Sequence, residues 1–289
     1  MARGASINGS IAVKCSSEWT DFWSNRNVAV CLSIGTGSAS ASWEPRQMAL
    51  NGTRGAASLN FQILNSDNVF FGSAYKPRPV VISSLQVPGR GGTSQTVTIP
   101  MRGLISSTQM PATMAPGTYR SSFGGSNTLL AVSSPTIGTP ADCSTTTNVD
   151  ATFPFEVSAE VPNFCAISTV SDMQFADVAG IGDTSRNAVA NIAVQCTYTT
   201  PYKINLTPSN ASTNGQGRMA LQSGGTDSVP YSLFQNAART VAWGNQSSSN
   251  YSGTGSGLVQ NVPVYGLVPA NLDATPGNYR DSVQVTVTY

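Results

Sequence analysis

Five cysteines carry the most evident chemistry of this 289-residue chain: Cys15, Cys31, Cys143, Cys165 and Cys196. No two of them have the CxxC spacing that is typical of zinc sites. Few and well-separated cysteines in a polar, β-rich chain are typical of disulfides formed in an oxidising compartment. The sequence therefore predicts disulfide bonds, no metal site and no cofactor. Because the number of cysteines is odd, one of them has no partner within the chain.

Histidine is absent from the sequence. This removes the usual general base, the proton shuttle near neutral pH and the commonest transition-metal ligand. The acidic residues are scattered in turn-like contexts, where Asp normally caps or turns the backbone. Glu18 and Asp21 make only a weak carboxylate pair for glycoside hydrolysis. The net charge of +1 provides no basic surface for nucleic acid. We predict a protein that is not an enzyme, has no catalytic residues and binds no nucleic acid.

Three aromatic residues, Trp19, Phe22 and Trp23, interrupt a polar stretch between the first two cysteines. Large rigid aromatic side chains supply contact area at a small entropic cost, and burying each one contributes roughly 2–3 kcal/mol. We predict a hydrophobic finger that binds a surface, with Met110 and Met114 of a later loop as further binding residues. The alternative is that these side chains fill the core, where Trp is usually buried and Met fills gaps.

Short apolar runs separated by turn residues dominate the rest of the chain. Of its residues, 40% are hydrophobic and 10% are charged, and Gly, Pro, Ser, Thr and Asn cluster between the apolar runs. This texture is typical of many short strands joined by turns. No long segment has apolar residues at helical spacing, and no apolar run is long enough to span a bilayer. The sequence predicts an all-β fold.

An internal repeat organises the chain. The matching segments are 11–15 with 192–196, 48–50 (preceded by Arg46) with 218–221, 59–63 with 229–233, 71–72 with 243–244, 99–105 with 262–268, and 116–120 with 276–280. Matches in the same order predict two homologous domains, at residues 1–161 and 162–289. The alternation of apolar and polar residues within each repeat predicts a β-sandwich.

The two repeats differ at their C-terminal ends. The second repeat stops after a strand whose inward side chains are Val283, Val285, Val287 and Tyr289. The first repeat continues with an alternating stretch, 153–161, in which Pro154 indicates a strand start or an edge position. We predict that the second domain lacks a final strand, which leaves an apolar groove that an extended segment of another chain can fill. The alternative is a complete sandwich that ends at Tyr289.

The repeats also differ at their N-terminal ends. Residues 165–186 precede the first match in the second repeat, whereas only a few residues precede it in the first. We therefore expect the first domain to lack its opening strand, with the partner of Cys15 upstream of Met1, and expect that a signal peptide was removed or that the chain begins inside the natural protein. Cys165 then pairs with Cys196, and Cys31 with Cys143. A rival pairing, Cys15 with Cys31, leaves Cys143 free, and geometry decides between the two.

Residues 162–289 resemble the spore coat U domain family throughout, and the first domain resembles it more loosely. The motifs that carry this resemblance are Cys165, Cys196 after an Ile-Ala-Val strand, Arg-Met-Ala-Leu at 218–221, Tyr-Ser-Leu-Phe at 231–234, Trp-Gly at 243–244, Val-Pro-Val-Tyr-Gly at 262–266, and the C-terminal stretch 276–289. The C-terminal stretch is the most specific of them.

The resemblance implies subunits of archaic, Csu-type chaperone–usher pili. Such a subunit has an immunoglobulin-like sandwich without its last strand. A periplasmic chaperone fills the groove first, and the donor strand of a neighbouring pilin replaces it during assembly at an outer-membrane usher. The groove residues that follow for this chain are Ile167, Val283, Val285, Val287 and Tyr289.

Two domains without a donor segment imply the tip adhesin of such a fibre. That protein is secreted through the periplasm to the pilus tip at the cell surface, where it attaches to an abiotic or host surface and supports biofilm growth. The alternatives are a non-adhesive shaft, adaptor or coat subunit of the same fold, or a carbohydrate-binding module that stacks sugars on Trp19 and Trp23.

Overall fold

The chain folds almost entirely into β-strands. The computed structural model describes residues 4–16, 26–72, 81–87, 94–107, 109, 111–133, 149–177 and 184–289. In these ranges the remaining regular structure is two single 3₁₀ turns, Pro111–Thr113 and Gly125–Asn127. No helix in this part of the chain is long and apolar enough to cross a membrane. The predicted all-β class is confirmed. The chain divides into two compact units, the first made of Met1–Met110 with Gly117–Val161 and the second of Pro111–Pro116 with Pro162–Tyr289.

The first unit contains two facing sheets. Its strands are β1 (Ala5–Ser16), β2 (Arg26–Ile34), β3 (Arg46–Leu50), β4 (Ser58–Leu64), β5 (Val81–Val87), β6 (Ser94–Ile105), β7 (Gly117–Phe123), β8 (Thr128–Ser133) and β9 (Phe155–Val161). The sheet orders are β1-β6-β4-β3-β7-β9 and β5-β2-β8. The alternation predicted from sequence is visible in β4, where Leu59, Phe61 and Ile63 are buried and the residues between them are half-buried.

The second unit repeats this plan with one additional strand at its start. Its strands are β10 (Cys165–Val170), β11 (Arg186–Cys196), β12 (Pro201–Pro208), β13 (Gln216–Leu221), β14 (Ser228–Phe234), β15 (Tyr251–Thr254), β16 (Val259–Val268), β17 (Tyr279–Arg280) and β18 (Val283–Thr288). The sheet orders are β10-β11-β16-β14-β13-β17 and β15-β12-β18. Strands β11 to β18 therefore occupy the positions of β1 to β8.

Strand register follows the sequence repeat. Ile11 lies opposite Ile99 in the first unit, and the matched residues Ile192 and Val262 lie opposite each other in the second. The repeat is thus a repeat of pairing as well as of sequence. Since a slip of one residue would turn every side chain to the other face, equal register explains why the same positions are apolar in both halves.

In the internal repeat, the match of Arg46 with the segment 218–221 was wrong by a single residue. Arg46 lies opposite Phe61, and Gly217 lies opposite Tyr231, so Arg46 corresponds to Gly217 and not to Arg218. The physical reason is that the two units fill this position differently. A Cβ on Gly217 would overlap the ring of Tyr231, so the tyrosine covers the place from which Arg46 extends in the first unit.

The Arg46 side chain is fully buried in the first unit. Its guanidinium donates hydrogen bonds to the backbone carbonyls of Ile34 (2.7 Å), Gly35 (2.8 Å) and Phe71. Carbonyls at the end of β2 and beside Phe71 are thereby satisfied without water, as buried backbone groups require. Phe71 is itself buried, which agrees with its predicted place in the core.

The Trp-Gly pair of the second unit anchors its core. Trp243 is fully buried, and its indole N–H donates to the carbonyl of Ile204 at 2.9 Å. A Cβ on Gly244 would overlap the carbonyl of Thr213, so only glycine fits there. Trp243 and Phe71 are therefore equivalent core residues, as the repeat predicted.

The extra strand predicted for the first unit exists, and it adds to the six-stranded sheet. Beside β8 there is only a bridge between Leu130 and Ala151, after which the chain crosses over and β9 adds to β7. Stacking of Phe155 on Phe123, with ring centroids 4.7 Å apart, fixes β9 there. Pro154 directly precedes β9, which is an edge strand, in agreement with the prediction.

Candidate strand-acceptor edge of the second unit

A disulfide fixes one wall of the candidate site. Cys165 opens β10, Cys196 closes β11, and the two residues lie directly opposite each other in register. Their sulfur atoms are 2.05 Å apart, and both residues are buried. Because β10 is an edge strand that pairs with β11 alone among the described strands, this bond stabilises a strand that would otherwise be held by one ladder.

The other cysteines lie in the first unit. Cys15 is a free thiol, whereas Cys31 is disulfide-bonded, so the rival pairing of Cys15 with Cys31 is wrong. Cys143 lies outside the described residues, and its pairing with Cys31 stays a prediction.

The opposite wall is β18. It pairs with β12 along one edge, and within the described residues its other edge has no strand partner. Its side chains alternate: Val283, Val285 and Val287 are half-buried, and the polar residues between them are exposed. The valines pack against the buried core cluster of the unit. The edge therefore combines unpaired backbone groups with an apolar row that the core covers only from one side.

Ile167 of β10 packs against the same core cluster and is also half-buried. Tyr289 follows the end of β18 and is 58% exposed, and Phe164, directly before β10, is 50% exposed. Their rings meet edge to face with centroids 6.3 Å apart. The structure thus brings together the predicted groove residues, and it adds Phe164, which was missed. The signal for Phe164 was an aromatic residue next to a cysteine of the edge strand.

The two walls are close together. Residues of β10 and β18 come within 8 Å of each other, Cα to Cα. A strand bonded to both would need about 9.6 Å, which is twice the spacing of neighbouring strands. An incoming strand must therefore part the two walls or pair with β18 alone. In the structure the apolar side chains of the two walls are half-buried, which limits the apolar surface that is exposed to water.

The strands β10 and β18 that form the walls of the site carry no charged side chain. Just before β18, the Tyr231 hydroxyl donates to Asp281 at 2.6 Å. Burial, the hydrogen bond to Asp281 and the negative charge of Asp281 together raise the pKa of Tyr231, so the phenol stays neutral. This hydrogen bond connects the segment between β17 and β18 to β14. The arrangement is suited to apolar contact and backbone pairing.

The structure does not test the predicted surface-binding site. Trp19, Phe22, Trp23 and Met110 lie outside the described residues. Met114 follows the 3₁₀ turn and is half-buried, and its part in surface binding stays a prediction. Within the described ranges no cluster of three or more His, Cys, Asp or Glu residues could hold a metal ion.

Together, fold and edge define tandem β-sandwiches of the immunoglobulin-like type, the second of which ends on an open strand. Residues 151–286 match the family model of the Spore Coat Protein U domain. Protein U of Myxococcus xanthus is 34% identical over 104 residues, which is 34% of this chain and 58% of that protein. The chain thus spans little more than half the length of this relative.

Solved structures similar in fold are pilus proteins. One is the CsuC–CsuE chaperone–tip adhesion subunit pre-assembly complex from the archaic chaperone–usher Csu pili of Acinetobacter baumannii, at 15% identity and a TM-score of 0.49, with 96% of this chain and 91% of that chain covered. Another is the CupB6 tip adhesin from Pseudomonas aeruginosa, at 13% identity and a TM-score of 0.37, with 100% of this chain and 87% of that chain covered.

Proposed function

We propose that this chain is the tip adhesin subunit of an archaic chaperone–usher pilus and has no catalytic activity. The observation that carries the proposal is the edge of β18, where Val283, Val285 and Val287 pack against the core and no strand of the described residues pairs with the outer side. Such an edge is completed by strand addition, in which main-chain hydrogen bonds supply affinity and side-chain pockets supply specificity. The Spore Coat Protein U match over 151–286 supports the pilin assignment of this unit.

The partners of this edge are, in order, a periplasmic pilus chaperone and the donor strand of the next pilin subunit, with assembly at an outer-membrane usher. The first unit supports a position at the tip, because its own chain returns to β8, the equivalent of β18, through the bridge between Leu130 and Ala151 and then adds β9 beside β7. A subunit at the tip donates no strand and needs only to accept one. The route of the protein then runs through the periplasm to the cell surface.

Co-expression of the full chain with an archaic-type periplasmic pilus chaperone tests this assignment. Val285→Asp places a carboxylate in the row that the chaperone strand covers, and burying an unpaired charge costs several kcal/mol. We expect at least about 100-fold weaker capture, which corresponds to roughly 2.7 kcal/mol. Gln284→Asp is the matched control, since its exposed side chain adds the same charge on the opposite face.

Equal capture of the two variants would contradict the acceptor edge. Folding of the Val285→Asp variant is checked by amide hydrogen exchange in β11 and β16, which lie in the other sheet. If those strands stay protected while capture is lost, the loss belongs to the edge and not to global unfolding.

The adhesive part of the proposal concerns the surface-binding residues predicted from the sequence. We propose that Trp19, Phe22 and Trp23, with Met110 and Met114, attach the tip to abiotic or host surfaces through apolar contact. Replacing the three aromatic residues by Ala is expected to abolish attachment of piliated cells to polystyrene while leaving pilus assembly intact. Unchanged attachment would favour a non-adhesive shaft, adaptor or coat subunit. Retention of the chain on an immobilised polysaccharide would favour the carbohydrate-binding module.

A further inference from the structure

The six-stranded sheet of the second unit carries an apolar row on its outer face, the face that points away from the core. Val189 of β11 lies opposite Tyr265 of β16, and Tyr265 lies opposite Phe234 of β14. The residue before each of them in its strand is buried, so these three side chains point outward. Val189 is 55% exposed, and the two aromatic residues are half-buried. An apolar row on the outer face of a sheet indicates an interaction surface.

The fold itself does not require this row, because the first unit has polar residues in place of Val189 and Tyr265. Their equivalents in the repeat are Asn8 and Arg102, which also lie opposite each other. The Arg102 guanidinium donates a hydrogen bond to the side chain of Asn68 at 2.7 Å. Strand pairing and register are therefore kept without apolar side chains at these positions. The row serves a contact that the second unit makes and the first does not.

A fixed arginine lies beside the row. The guanidinium carbon of Arg239 is 5.8 Å from the ring centroid of Tyr265, which is within the range of a cation–π contact. Its Nε and Nη1 donate to the backbone carbonyls of Gly266 (3.1 Å) and Ala237 (3.0 Å). The other N–H groups of the guanidinium have no acceptor among the described residues, so they are available to an anion.

The loop that carries Arg239 is held in one conformation. Arg239 has a φ of 54°, which strains a residue other than glycine. The side-chain oxygen of Asn236 accepts hydrogen bonds from the N–H groups of Thr240 (3.0 Å) and Val241 (3.1 Å), and its carbonyl accepts one from the N–H of Arg239 (2.9 Å). Because the loop is already ordered, a ligand would bind without the entropic cost of fixing it.

The charge of this sheet indicates an anionic ligand. Its six strands contain Arg186, Arg218 and Arg280 but no Asp or Glu. The carboxylates that directly adjoin strands of the sheet, Asp227 and Asp281, each accept a hydrogen bond from another side chain. A guanidinium with free donors beside an apolar row is complementary to a carboxylate that is attached to an apolar surface.

The position of the row favours a polysaccharide over other anionic polymers. The strands β11, β16 and β14 are interior strands that pair on both sides, so an extended peptide cannot add its backbone to them. Nucleic acids bind through many cationic contacts to phosphates, and this face offers few. A sugar ring has an apolar C–H face that can stack on an aromatic ring, and in a uronic acid each ring also carries a carboxylate.

We propose that the outer face of this sheet binds an acidic polysaccharide that is built from uronic acids. The apolar faces of the sugar rings lie against Phe234, Tyr265 and Val189. The free N–H groups of Arg239 bind a carboxylate of the same chain. Arg218, which points outward on β13 opposite a residue of β14, can bind a second carboxylate farther along the face. The site lies in a different sheet from β18, so it is separate from the acceptor edge.

Fluorescence anisotropy with a labelled oligogalacturonate tests the site on the full chain, with a neutral oligogalactan of the same length as the reference. We expect the acidic oligosaccharide to bind at least about tenfold more tightly than the neutral one. Tyr265→Ser should weaken its binding at least about tenfold, because the ring is lost. Tyr198→Ser is the matched control, since Tyr198 is 39% exposed and lies outside this face, in the turn between β11 and β12.

Three further variants separate binding from folding and from the site predicted in the first unit. Val189→Asn introduces the residue type that the repeat has at Asn8, so the variant should fold and still bind more weakly. Arg239→Gln should remove the preference for the acidic oligosaccharide over the neutral one. The double variant Trp19→Ala, Trp23→Ala should bind the oligogalacturonate as tightly as the unchanged chain.

Equal binding of the two oligosaccharides, or equal effects of Tyr265→Ser and Tyr198→Ser, would overturn the proposal. Loss of binding in the double tryptophan variant would place the sugar site at Trp19 and Trp23 instead. Displacement of the oligogalacturonate by an equal or lower concentration of a single-stranded oligonucleotide of the same charge would identify a nucleic-acid surface. A dimer that Val189→Asn abolishes would assign the face to a second copy of the chain.

Discussion

Removal of the disulfide between Cys165 and Cys196 measures how much the edge strand β10 contributes to the second unit. The two residues are separated by 31 positions in the sequence. In the chain-entropy model a closed loop of that length stabilises the folded state by about 3.7 kcal/mol at 25 °C. The double variant Cys165→Ala, Cys196→Ala should lower the free energy of unfolding of this unit by that amount.

Amide hydrogen exchange in the full chain is the appropriate measurement, because it reports each unit separately. For amides of β11 and β16 that exchange only on full unfolding, a loss of about 3.7 kcal/mol corresponds to a roughly 500-fold lower protection factor. Cys15→Ala is the matched control: it removes a cysteine from the equivalent position that carries no bond, and the second unit should be unaffected. A decrease below about tenfold in the double variant would refute the assignment of β10 as a strand held by its disulfide.

Three further predictions concern single side chains. Trp243→Phe should lower the free energy of unfolding by about 2–3 kcal/mol, since it leaves a void and removes the indole hydrogen bond to the Ile204 carbonyl; an unchanged midpoint in urea titration would contradict this core role. Arg46→Met should cost about 3 kcal/mol or more, because three buried carbonyls lose their donor; a stable variant in the same titration would argue against this role. Asp227 accepts hydrogen bonds from the Thr275 hydroxyl and N–H, and these bonds lower its pKa. Its stabilisation is present above the unfolded pKa of about 4 and disappears as pH falls through the lower folded pKa; Asp227→Asn should remove this part of an acid-unfolding curve followed by circular dichroism.

The strand pairing was largely predictable because both repeats contain the same alternation of apolar and polar residues. Two copies of one alternation constrain the register, and Ile11 with Ile99 and Ile192 with Val262 indeed lie opposite each other. Alternation also predicted the half-buried valine row of β18. Both features depend only on which side chains avoid water, and this property is readable from residue type.

Features that depend on the edge to which a strand adds were not predictable. The alternation in β9 is compatible with pairing to either neighbouring strand, and only the stacking of Phe155 on Phe123 selects β7. Arg46 was misaligned because its buried hydrogen bonds to carbonyls leave no trace in the spacing of residues. Phe164 was overlooked since it lies outside the alternation, one residue before β10 begins.

The approach of β10 and β18 to within 8 Å has a consequence for the timing of assembly. When these two walls lie close together, they cover part of each other's apolar surface and strand edges. Free copies of the chain therefore associate slowly edge to edge. Any strand that is to be inserted between the two walls must wait until they separate, and association that awaits a rearrangement is slower than simple docking. In the proposed pilus, the rate of fibre growth would then depend on the protein that holds the two walls apart. A chaperone that does so would control when and where polymerisation starts.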